Sequence, residues 1–120
     1  MSVAGIVESA LHVARRTDRE LGASARLAAA LMLRQALETS IDDMWFAQAP
    51  EMRGANMRNQ LIALRFYLDP IAARDARYAW YSLSDHCHVE GYERPPSLAE
   101  VEQLAEIIRR CSDAKVTKQL

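Results

Sequence analysis

The chain has 120 residues, 50% of them hydrophobic and 26% charged, a balance that supports one core without disulfides and is too apolar for disorder. A formal net charge of -1 supplies no global field toward nucleic acid or an anionic membrane, so any anion recognition has to be local. Its two cysteines, Cys87 and Cys111, form no CxxC motif and read as small apolar thiols in a reducing cytoplasm.

The opening stretch MSVAGIVESALHVARR has no basic run ahead of its apolar residues and already carries Glu8 and His12, which is not the pattern of a signal peptide. Ser2 is placed to cap a first helix running to about Glu20, with Val3, Ile6, Ala10, Val13 and Leu21 on one side and Gly22 as its stop. A second and longest helix is predicted from Ala23 to Ala47, ahead of Pro50. Its richest apolar stretch, Leu27 to Leu33, is interrupted by Arg34 and is much shorter than the roughly 20 residues of a membrane span.

A third helix is predicted over Glu51–Leu68, with Met57, Leu61, Leu64 and Leu68 one turn apart. Asp69 followed by Pro70 is a cap and a first-turn proline, opening a fourth helix that ends near His88. Arg94-Pro95-Pro96 makes an extended connection, and Ser97 with Glu100 forms the capping box of a fifth helix striped by Leu98, Val101, Leu104, Ile108 and Cys111. The fold class expected is all-α: an up-and-down bundle of four long helices plus a shorter C-terminal fifth, one domain over 1–120 with its core at 2–112 and 113–120 frayed.

Polar residues inside apolar faces are the informative ones, because an unpaired buried charge is strongly destabilising. On the second helix Arg34 and Glu38 fall near the centre of a side made by Leu27, Ala30, Leu31, Leu37, Ile41 and Trp45. They are one turn apart, either an intrahelical pair at a rim or dimer seam, or an arginine held toward an anion or a neighbouring helix. On the fourth helix a core stripe of Ala73, Ala76, Trp80, Leu83 and Cys87 runs beside a polar stripe of Arg77, Tyr81, Ser84 and His88. His86 points away from that stripe, toward solvent.

Asp85, His86, Cys87, His88 and Glu90 are dense in possible ligands, but neighbours two apart on a helix diverge, so neither a metal nor another cofactor is expected. Ser84 with His88 lacks a nucleophile elbow and oxyanion glycines. Arginines do cluster: Arg53, Arg58, Arg65, Arg74 and Arg77 stand against Glu51, Asp69 and Asp75, with Arg58 and Arg65 on the same side of the third helix. This is a solvated helix face or an RNA or phosphate surface. Phe66, Tyr67, Tyr78 and Tyr81 are interleaved with it as core or rim aromatics. Trp45 and Trp80 are candidate walls of a small-molecule pocket.

The long second helix ARLAAALMLRQALETSIDDMW, an Arg-rich third helix and a fourth ending in a His-containing polar segment resemble the HEPN superfamily over roughly residues 2–112. That resemblance implies a helical bundle, commonly a homodimer, in prokaryotic toxin or defence systems, with many members acting as ribonucleases. The family's nuclease signature is an arginine and a polar residue followed, after four to six positions, by a histidine. Arg58-Asn59 opens such a motif, but no histidine follows in range, and Arg77 precedes His86 and His88 by more than the family spacing. The expectation is therefore a non-catalytic or degenerate member that binds RNA or a protein partner through Arg34, Glu38, Ser84, Arg58 and Arg65. A purely structural adaptor is the alternative. Were the chain a metal-independent ribonuclease, Arg77 would stabilise phosphorane charge and His88 would act as general acid or base.

Overall fold

The computed structural model describes residues 2–16, 22–87 and 95–116, and among these there is no strand. Helices follow in the order α1 (Val3–Ala14), α2 (Gly22–Gln48), a 3-10 turn (Pro50–Gly54), α3 (Met57–Ala63), a second 3-10 turn (Leu64–Phe66), α4 (Pro70–Cys87) and α5 (Leu98–Asp113). The protein is all-α.

Local chemistry sets most of the starts. The Ser2 hydroxyl accepts from the Gly5 N–H at 3.0 Å, and the Asp69 carboxylate accepts from the N–H groups of Ile71 and Ala72 at 3.0 and 2.9 Å. Ser97 and Glu100 complete a reciprocal capping box. Each satisfies amide groups that the first turn of a helix leaves without an intrahelical partner.

Two expected elements differ. α1 ends at Ala14, Arg15 is its C-cap, and Arg16 is not helical. The next residues in sequence, Thr17 and Asp18, are weak helix formers, and Gly22 opens α2 instead of stopping α1. The long third helix is broken into a 3-10 turn, a seven-residue α-helix and a second 3-10 turn. Asn56 causes the break: in extended conformation, its side chain accepts from the Asn59 N–H at 2.8 Å and so starts α3 afresh. The stripe expected there is nonetheless buried at Leu61, Leu64 and Leu68, with Met57 packed on the core.

α2 is the central helix and packs on α1, α4 and α5, while α5 also packs on α1 and α4. These four make the bundle, and α3 lies against α4 and the 3-10 turn beside it. The largest side chains closed off from solvent come from every bundle helix: Val7, Leu33, Leu37, Trp45, Leu83, Val101 and Ile108. Alanines between them on α2 and α4, such as Ala29, Ala36, Ala76 and Ala79, let the helices approach closely. Trp45 meets the edge of Tyr67 with ring centres 5.0 Å apart. On the bundle's outside, Arg15 pairs with Glu102 and Arg109 with Glu8, joining α1 to α5.

The buried side of α2 is rotated from the one expected. Its core positions are Ala25, Ala29, Ala30, Leu33, Ala36, Leu37, Ile41 and Trp45, which centres the face near Leu33 and leaves Leu31 52% exposed. A helix whose residues from Leu27 to Leu33 are all apolar carries little phase information of its own, so its neighbours choose the buried side. Arg34 and Glu38 consequently stand at the edge of the core, with side chains 34% and 41% exposed.

Candidate anion-binding face

α4 turns Ala72, Ala76, Ala79 and Leu83 inward, so three- and four-residue spacing brings Arg74, Arg77, Tyr78 and Tyr81 onto its outer face. On α3 and the turn after it, burial of Leu61 and Leu64 leaves Arg58, Ile62, Arg65 and Phe66 exposed. The two surfaces meet in a groove of about 230 Å³ in which Arg65, Arg74 and Arg77 stand around Leu61, Ile62, Pro70 and Ala73.

The nearby carboxylates are committed elsewhere. Asp69 caps α4, and Asp75 faces Arg110 across the α4–α5 seam at 3.8 Å. Among the described residues, Arg58, Arg65, Arg74 and Arg77 form no ion pair with a carboxylate. The Arg65 guanidinium instead lies 4.8 Å from the centre of the Phe66 ring, a cation–π contact. Phe66, Tyr78 and Tyr81 are 46%, 51% and 40% exposed, whereas Tyr67 is drawn inward by Trp45. Three guanidinium groups around a shallow apolar floor, flanked by open aromatic faces, can hold phosphates and stack bases.

The stripe expected on α4 divides. Arg77 belongs to this groove, Ser84 is 92% enclosed with its hydroxyl unpartnered among the described residues, and His88 lies outside the described residues. His86, expected in solvent, is half-buried, its Nε2 3.4 Å from Glu100 Oε2 on α5. The start of α5 draws it in, because Glu100 is fixed there by the capping box. That carboxyl is held below its ordinary range, first by the hydrogen bond from the Ser97 backbone, against the next largest effect, burial, and with further help from the Ser97 side chain and His86.

The α2 pair is separate from this groove. Arg34 Nε stands 3.3 Å from Glu38 Oε1 in an ion pair, and its guanidinium reaches across to the Trp80 ring of α4 at 5.3 Å. Arg34 also opposes, by charge and a hydrogen bond, the rise that burial imposes on the Cys87 thiol. Arg34 thus serves the α2–α4 seam. Trp45 is wholly in the core and Trp80 lies beneath Arg34.

The sequence showed Arg58, Arg65, Arg74 and Arg77 as a cluster with Phe66, Tyr78 and Tyr81 interleaved, but that Arg65, Arg74 and Arg77 meet in one groove comes only from the packing of α3 on α4. No protein-family model matches the chain, and no curated protein or solved structure matches it either.

Proposed function

We propose that the protein binds RNA through the α3–α4 face without cleaving it, the role expected from its HEPN-like character. The observation that carries this reading is the set of four arginines, Arg58, Arg65, Arg74 and Arg77, that pair with no carboxylate among the described residues and border exposed Phe66, Tyr78 and Tyr81. Unpaired guanidinium groups are free for phosphates, and aromatic faces suit the unstacked bases of a single strand. Among the described residues the groove is lined by three arginines and apolar side chains, a set suited to holding phosphates, and the reading is of binding.

Titration of a labelled single-stranded RNA into the protein, followed by fluorescence anisotropy, tests it. Binding that weakens with salt and is lost in Arg65→Ala supports the proposal, whereas salt-insensitive or absent binding overturns it. Exposed Ile71, at 63%, on the adjoining turn of α4 favours a second use of the face, docking of a protein partner or a second copy of the chain. Self-association abolished by Ile71→Glu, with no RNA affinity, would select that alternative.

A further inference from the structure

At the end of the bundle where α2 and α5 finish, the helices leave a half-open, mixed polar and apolar cavity of about 290 Å³. Ile41 and Met44 from α2, Leu64 and Leu68 beside α4, and Val116 after α5 form its walls. The cavity is about twice the volume of an engineered apolar cavity that holds benzene, enough for an organic molecule of roughly ten heavy atoms. Burial among such neighbours raises the Cys111 thiol, which also lines it, to about 11.

Among the described residues, Asp43 is the one charged side chain in the lining. Arg53, which Asp43 also attracts at longer range, is held by both oxygens of the adjacent Asp42 at 2.9 and 3.0 Å, and Asp43 makes no ion pair among the described residues. The chain leaves α5 extended at Ala114, and Ala114 and Val116 line the cavity while Lys115 is exposed.

We propose that this cavity binds a small hydrophobic amine, its apolar body against Ile41, Met44 and Leu68 and its ammonium at Asp43. The site is independent of the arginine face. Octylamine and octanoate, titrated separately below their micellar concentrations and followed by calorimetry, distinguish the proposal from plain apolar uptake. The amine is expected to bind about tenfold more tightly, the size of one attractive against one repulsive semi-exposed charge contact. Asp43→Asn, an exposed substitution, should erase that preference, and Ala47→Phe at the rim should remove binding of both while the circular dichroism melt stays cooperative. Equal affinity for the two probes, no binding of either, a preference surviving Asp43→Asn, or binding surviving Ala47→Phe would each overturn it.

Discussion

Arg34 of α2 is fixed by Trp80 of α4: its guanidinium carbon lies 5.3 Å from the centre of the indole system, while Glu38, one turn along α2, holds Nε at 3.3 Å. The aliphatic stem and the flat cation together cover a half-buried tryptophan at the rim of the core. The charge therefore joins two helices.

Replacing Arg34 by alanine should destabilise the fold by about 1–2 kcal/mol, combining a cation–π contact of about 0.5–1 kcal/mol, a weak exposed pair and lost stem packing. Arg34→Met, which keeps the stem, should cost about half as much in urea denaturation. The same substitution removes the cation that lowers the Cys87 thiol, so alkylation of Cys87 at fixed pH should slow in a Cys111→Ala background. Unchanged alkylation would separate Arg34 from the thiol.

The rotated face of α2 separates two leucines. Leu37 is wholly buried and Leu31 is 52% exposed, so Leu37→Ala should cost about 2–5 kcal/mol and Leu31→Ala less than about 0.5 kcal/mol. Thermal or urea unfolding of the two variants reads this directly. Similar losses at both positions would place Leu31 in the core and restore the phase read from the sequence.

Glu100 contributes a pH dependence of known sign. Its folded-state pKa is lowered from 4.5, so its stabilisation is complete above that value and is lost as pH falls through the folded value. Glu100→Gln keeps a residue that suits a capping box but does not titrate. The variant should be less stable than the parent at pH 7, and the gap should narrow as pH falls below 4.5, as measured by urea midpoints. A gap that stays constant with pH would show that ionisation of Glu100 does not contribute.

What the sequence reveals of this molecule follows the range of the forces involved. Ser2, Asp69 with Pro70, and Ser97 with Glu100 act within a single turn, and each helix start they announce is present. Asn56 was an equally local signal, one residue after the Gly54-Ala55 pair, but the leucine stripe running through Leu61, Leu64 and Leu68 masked it: those residues stay buried even though the helix is broken. The phase of α2 depends on which of several apolar sides its neighbours cover, and that choice is made by α1, α4 and α5. The arginine groove is likewise a tertiary object. Arg65 and Arg77 are far apart in the chain and share a groove only because α3 packs on α4.

The central claim, RNA held by the arginines of the α3–α4 face, is tested most directly by the salt dependence of single-stranded RNA affinity in the parent and in Arg74→Ala/Arg77→Ala. Each phosphate contact adds about 0.7 to the slope of log affinity against log salt for a single strand. Both substituted residues are exposed, so the fold should be unaffected. The account predicts a slope about 1.4 shallower in the double variant with weaker binding at low salt, while Tyr81→Ala weakens binding with its slope unchanged. A double variant that binds with the parent's affinity and slope would contradict it.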